Sequence, residues 1–382
     1  MNTNLNEHFL LEMAHGGNFS EFARRYQKKE CDIIDFSSSI NPLGLPESLN
    51  SVYQNSMDDL SRYPDPYAAP LRAKIAESFS CSQKHVVVGN GSMGVLEVAV
   101  RVLAPQRAYP PHVLLVEPCF SEYRRLAELQ KAHIDTVALS SEDHFKFPLK
   151  EIIKSLTAKD VLILGHPNNP TGTSLSREGL CQLLNAAEQE NVWVLVDEAF
   201  SDWAPDISMA SKVSELGRLV VVRSLTKFFA LAGIRSGYAL GPKSVINEMM
   251  KHMGPWTCNR LAQKLSIAAL RDHAFQDESR RWLMRERSWF YDALQQLQIL
   301  QPFQSSANFL LIQSRVSLDG FFDFLGKRGV FVRPCQNFNG LDKSYFRVAV
   351  RTRWENKLLL GVLEEWKNLI LKMDRPKLAS KT

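Results

Sequence analysis

From residue 85 onward, short runs of β-branched and other apolar residues alternate with longer amphipathic stretches. HVVVG is followed by SMGVLEVAVRVLA, HVLLVEP by SEYRRLAELQKA, and DVLILGHP by SREGLCQLLNAAEQEN; VWVLVDEAF, LVVVRSLT and GYALG complete the series. The short runs are apolar at consecutive positions, as a strand covered on both faces requires, whereas a strand with one wet face would alternate. Strand and helix taking turns in this way predict a mostly parallel central sheet covered by helices, an α/β domain. In such sheets ligands sit beyond the carboxyl ends of the strands, so the residues just after each run are the first candidates for chemistry.

After about residue 276 the pattern changes. A charged helical stretch from Asp277 to Gln298 leads into NFLLIQS, FFDFLGKRG, VFVRP and YFRVAVR, then a closing helix around Leu358 to Met373. That is an α+β pattern with its own apolar core. The first sixty residues carry little periodicity and several turn signals, HGGN, NPLGLP and RYPDPY, and are expected to form an arm. The expected organisation is a large domain over 58–275, a smaller α+β domain over 276–382 and the arm over 1–57.

Composition narrows the class without naming a function. At roughly 150 residues per domain, 382 residues suit two domains. With 45% hydrophobic and 23% charged residues, disordered, collagenous and disulfide-scaffold classes are excluded. The net charge of +5 is spread without a basic block, so nucleic acid is not an expected partner, while a small anionic ligand suits it. No apolar stretch approaches the ~18 residues of a membrane span, and MNTNLNEHFLLEMAHGGN has no charged region leading into an apolar core. A cytoplasmic protein with no membrane partner is expected. Six cysteines stand singly without any C-x-x-C, so they are expected to be reduced, buried thiols, and no metal site is expected.

Four motifs fall at the ends of predicted strands: GNGSMG at 89–94, HPNNPTG at 166–172, VDEAF at 196–200 and SLTKFFALAGIRSGY at 224–238. Taken singly, a glycine loop is an ordinary turn, an aspartate a helix cap and a lysine a solvated charge. In this order and spacing they resemble the fold-type I pyridoxal-phosphate enzymes of the aminotransferase class I/II group, along essentially the whole chain. The resemblance implies pyridoxal 5'-phosphate as cofactor. It makes Lys227 the residue that holds the cofactor's aldehyde as a Schiff base, because exchanging one imine for another is faster than starting from a free aldehyde. Asp197 matches the carboxylate that keeps the pyridine nitrogen protonated, so that the ring withdraws electrons. Asn169 matches the amide that donates to the ring's phenolic oxygen, and Phe120 in EPCFSEY the aromatic stacked on the ring. Ser92 and Met93 would offer backbone amides to the cofactor phosphate, joined by Ser224 and Arg235.

Other segments resemble particular branches of the group. RYPDPY at 62–67 resembles the histidinol-phosphate aminotransferase branch, in which the tyrosine, here Tyr63, reaches the cofactor phosphate of a neighbouring subunit; this implies a homodimer with shared sites. AHGGN at 14–18, DFSSSINPLG at 35–44 and VRPCQNFNGL at 332–341 resemble the threonine-phosphate decarboxylases of cobalamin biosynthesis. They imply decarboxylation of a phosphorylated amino acid, L-threonine O-3-phosphate or L-serine O-phosphate, with transamination of the histidinol-phosphate type as the alternative. His15 and Gly16 would grip the substrate phosphate, since a glycine turn lets backbone amides come close. Arg333 and Arg347 match the substrate-binding arginines, and Asn169 would also face the substrate. Two positions depart from the pattern: Ser39 stands where the decarboxylases have an asparagine near the substrate, and Phe200 where many aminotransferases have a tyrosine.

Overall fold

The computed structural model describes residues 16–56, 60–104 and 109–373. Its strands, in chain order, are β1 (Ile34–Asp35), β2 (Val86–Asn90), β3 (His112–Glu117), β4 (His133–Ala138), β5 (Val161–Gly165), β6 (Trp193–Asp197) and β7 (Leu219–Ser224). They continue with β8 (Ser236–Leu240), β9 (Leu300–Pro302), β10 (Phe309–Ser314), β11 (Val330–Phe331), β12 (Arg333–Pro334) and β13 (Tyr345–Ala349). The chain divides into two units: one is Ile40–Arg281, and the other joins the described residues up to Ser39 to those from Trp282 onward. Residues 40–56, expected in the arm, and 276–281, expected in the smaller domain, thus count with the larger unit.

The larger unit is built on a seven-stranded sheet in the order β2-β8-β7-β6-β5-β3-β4. Neighbours from β7 to β4 run parallel, and β8 is antiparallel to both β2 and β7. The α/β reading is borne out, for the physical reason that suggested it. Along β3, β5, β6 and β7, residues of both parities are buried, Leu114 as well as Leu115 and Val221 as well as Val222. One face packs into a cluster with Val95, Ala99, Leu103, Leu126, Ile246 and Met249 from the helices Gly91–Leu103, Ser121–Leu129 and Lys243–Met253. Each of the larger side chains, Val95, Leu103, Leu126, Ile246 and Met249, contributes about 1.5–3 kcal/mol by leaving water.

The smaller unit holds a four-stranded antiparallel sheet in the order β12-β13-β10-β9. The helices Phe321–Lys327 and Arg353–Met373 accompany it. The segment before Ser39 is less irregular than expected: the helix Phe19–Tyr26 is capped by Asn18, and β1 pairs in parallel with β11. Phe22 of that helix stacks on Phe331 at 4.5 Å between ring centroids. Strand β4 was not anticipated at all. All six cysteines are free, but only Cys119, Cys258 and Cys335 are buried; Cys31 is exposed, which corrects the expectation of six buried thiols. Among the described residues no helix is long and apolar enough to cross a membrane.

Candidate active site

Strand register brings the four motifs to one edge of the large sheet. Gly165 pairs with Asp197, Asp197 with Val222, Ser224 with Gly237, and Asn90 with Ser236. The carboxyl ends of β2, β5, β6 and β7 therefore share an edge with the start of the reversed strand β8. Arg235, just before β8, reaches that edge from the opposite chain direction, which explains how one motif can supply both Ser224 and Arg235.

The helix Gly91–Leu103 begins directly at this edge, with its first amides lacking intrahelical acceptors. Two close approaches hold it there. Gly91 has φ of +71° and donates its N–H to Arg235 O at 3.0 Å. A Cβ on Gly237 would stand 2.2 Å from the nitrogen of Ser92, so only glycine admits the helix start against β8. Ser92 and Met93 are half-buried in the first turn. Ser224 is buried with its hydroxyl 2.7 Å from Thr226 Oγ1, and Arg235 is exposed. Backbone amides, a hydroxyl and a guanidinium at one strand edge are the donor set a phosphate monoester requires. A Cβ on Gly91 would lie 2.8 Å from Arg235 Nη2, so the loop leaves no side chain in the way. The residues present fit the phosphate end of pyridoxal phosphate.

They fit the ring end as well. Asp197 is buried at the tip of β6; its Oδ2 accepts from the Tyr123 hydroxyl at 2.8 Å and its Oδ1 from the Ala199 amide at 3.0 Å. Burial pushes its carboxyl upward, while these donors and the charge of Lys227 act the other way. A buried carboxylate in this position suits a cationic N–H. Phe120 caps the helix Ser121–Leu129, half-buried, with its ring edge-on to Tyr123 at 5.7 Å and packed against the core cluster. Asn169 lies in the loop after β5, where Asn168 is pinned by Pro118 O and Thr171 Oγ1. Lys227 sits half-buried in the turn after β7. Behind the edge, Arg223 joins Glu198 at 2.7 Å and Asp202 at 2.6 Å. This buried group braces the residues adjoining Asp197 and Ser224. Phe200 is buried and has no hydroxyl to offer.

Tyr63 stands apart from this group. It is 79% exposed, its ring 5.2 Å from that of the exposed Trp256, and its carbonyl accepts from Arg260. Tyr123 and Gly237 were missed from sequence. Tyr123 lies within a helix with nothing local to distinguish it, and it meets Asp197 only because the fold joins positions 74 apart.

The smaller unit carries the remaining candidates, except His15, which lies outside the described residues. Arg333 and Arg347 are directly opposed across β12 and β13, both buried. Burial pushes the Arg333 guanidinium down to about 10, with the neighbouring positive charge of Arg347 adding to the effect; Arg347 is pushed down by burial too. Arg333 donates to Asn337 Oδ1 at 2.8 Å and Arg347 to the carbonyl of Ser37 at 3.0 Å. A Cβ on Gly16 would lie 2.3 Å from that carbonyl, and Gly17 donates to Ser37 Oγ at 2.9 Å. The carbonyl of Ser39 accepts from Asn308 Nδ2 at 3.0 Å, and the buried Ser39 Oγ meets no hydrogen-bond partner among the described residues.

The family described as aminotransferase class I and II matches residues 31–363. The threonine-phosphate decarboxylase of Salmonella typhimurium is 33% identical over 358 residues, covering 93% of this chain and 96% of that protein. The adenosylcobalamin biosynthesis bifunctional protein CobDQ of Leptospira interrogans is 31% identical over 355 residues, 91% of this chain but 40% of that one. Among solved structures, the histidinol-phosphate aminotransferase of Clostridium acetobutylicum superposes with a TM-score of 0.82 at 28% identity, covering 87% of this chain and 99% of that chain.

Proposed function

This chain belongs to the aminotransferase class I and II family, whose cofactor is pyridoxal 5'-phosphate, and on that premise we propose that it decarboxylates an O-phospho amino acid. The substrate is L-threonine O-3-phosphate or L-serine O-phosphate, and the product an amino-alcohol phosphate for the nucleotide loop of a cobamide. The observation that carries this reading is the buried, cross-strand pair Arg333 and Arg347. Two guanidiniums held side by side out of water are costly unless anions meet them, and a phospho amino acid brings both a carboxylate and a phosphate. Similarity to a threonine-phosphate decarboxylase at 33% identity supports the same class.

When bound, pyridoxal phosphate draws electrons away from the bond that breaks at the α-carbon. Lys227 would anchor the cofactor's aldehyde, Asp197 would keep a proton on the ring nitrogen, Asn169 would donate to the phenolic oxygen and Phe120 would cover the ring. Ser92, Met93, Ser224 and Arg235 hold its phosphate. His15, Gly16 and the arginines would hold the substrate's anionic groups and so set which bond at its α-carbon is presented for cleavage. The bond from the α-carbon to the carboxylate then breaks, carbon dioxide leaves, and Lys227 or water returns a proton to that carbon. Ser39, smaller than the asparagine of the decarboxylases, faces the substrate and tunes which phospho amino acid fits. The active form is a homodimer in which Tyr63 contributes to the cofactor phosphate of the partner.

Carbon dioxide release and amine-phosphate formation, measured with phosphothreonine and phosphoserine, added cofactor and no oxo acid, test the reading. Release from either substrate is expected, and the ratio of kcat/KM reports what Ser39 does to selectivity. No release, with turnover of histidinol phosphate plus 2-oxoglutarate instead, would replace it with transamination.

A further inference from the structure

We propose that Asn41 is a positioning residue for Lys227, fixing the backbone from which the amine reaches the cofactor. The argument begins with what the lysine stands on. Residues 225–230 form neither helix nor strand; their own backbone bonds run from Leu225 N–H to Ser236 O at 3.2 Å and, as a long turn bond, from Ala230 N–H to Lys227 O at 3.4 Å. From one side the segment is anchored by packing: the buried rings of Phe228 and Phe229 meet each other at 5.1 Å, and Phe228 meets Trp203 at 4.6 Å. Apolar packing fixes the side chains but brings no donor to the carbonyl of Phe228, and the turn bond to that of Lys227 is long.

Asn41 supplies donors to both. Its backbone N–H reaches Lys227 O at 3.0 Å and its side-chain amide reaches Phe228 O at 2.8 Å. The second amide hydrogen goes to Ser279 Oγ at 2.9 Å, and Oδ1 accepts from the Leu43 amide at 3.1 Å. Asn41 is buried, and each polar group of its side chain has a partner, so its orientation is over-determined. The residue lies in the turn Asn41–Gly44, where Gly44 N returns to Asn41 O at 3.2 Å. An aspartate would set a carboxylate against the Phe228 carbonyl, and an alanine would leave that carbonyl short of a donor; neither could replace the clamp.

The inference rests on Lys227 being the cofactor lysine, and its test separates the two. Asn41→Ala is loaded with pyridoxal phosphate and compared with the native protein by amide hydrogen exchange over 225–230, by the pH midpoint of its visible absorbance, and by kcat and KM. Expected are faster exchange confined to that segment, a shifted absorbance midpoint, and kcat lower by about tenfold or more with KM within about threefold, since a small misplacement of a reacting group is costly. If Asn41→Ala does not fold, Asn41→Ser, which keeps one donor, is read in the same way. Native exchange and a native absorbance midpoint, with only a lowered melting temperature, would overturn the proposal. A failure of the cofactor reading looks different, because it would show as native protein that Lys227→Ala leaves able to take up the chromophore unchanged.

Discussion

Tyr123 directs its hydroxyl at Asp197, the carboxylate proposed to serve the ring nitrogen, and that single bond predicts a measurable pH limit. Burial raises the Asp197 carboxyl, and the hydrogen bond from Tyr123 lowers it. A carboxyl raised by folding holds its proton longer in the native state than in the unfolded chain. Stability without cofactor therefore falls as pH rises from the unfolded value through the folded one, and a bound cationic ring offsets the cost at neutral pH. Activity needs the carboxylate and is lost as pH falls through the folded value. In Tyr123→Phe the ring is kept, but the donor to Oδ2 is gone. A hydrogen bond to a charged group is worth about 1.5–3 kcal/mol, so cofactor affinity is expected to fall by roughly tenfold or more. The acid limb of the kcat/KM profile should move to higher pH. An acid limb that stays put, or moves to lower pH, would show that the phenol does not govern Asp197.

At the scale of elements, Gly237 shows how a strand and a helix share one site. A methyl there would press on the nitrogen of Ser92 and the carbonyl carbon of Gly91, both backbone atoms that cannot swing aside. Gly237→Ala is expected to lower stability by about 1–3 kcal/mol and to weaken cofactor binding, because the displaced helix start no longer aims its amides at the phosphate. Gly233→Ala, whose new methyl meets nothing within 4 Å, serves as the comparison. Equal cofactor affinity in the two variants would remove the close approach from the account. The same elements mark what the sequence could tell. Strands β2, β3, β5, β6, β7 and β8 were legible because two covered faces leave an unbroken apolar run. Strand β4 was not, since at the sheet edge His133, Asp135 and Thr136 face water and the run is broken. Lys227, Asp197 and Arg235 stand out as candidates because their motifs are continuous in sequence. Tyr123, Gly237 and Asn41 act on positions far along the chain, and no local pattern carries such a contact.

For the whole molecule the telling feature is apolar surface on the larger unit. Leu45, Tyr53, Leu60, Tyr63, Tyr67 and Trp256 are all exposed. The segment bearing Tyr63 is nonetheless ordered: Trp256 N donates to Pro66 O at 2.8 Å, Gln263 to Asp65 O at 3.0 Å and Arg260 to Tyr63 O at 3.2 Å. Exposed aromatic side chains anchored in this way would suit a surface that another protein covers. If that protein is a second copy and Tyr63 serves the partner's cofactor, two crippled chains should repair one another. Lys227→Ala lacks the lysine but has Tyr63, and Tyr63→Ala lacks the tyrosine but has Lys227. In a mixed dimer one site combines the intact lysine with the intact tyrosine, while the other carries both lesions. Random re-association makes half the dimers mixed, so activity should return to about a quarter of the native value, above the mean of the two parents. Activity that stays at that mean, while mixed dimers are present by mass, would mean that each chain completes its own site.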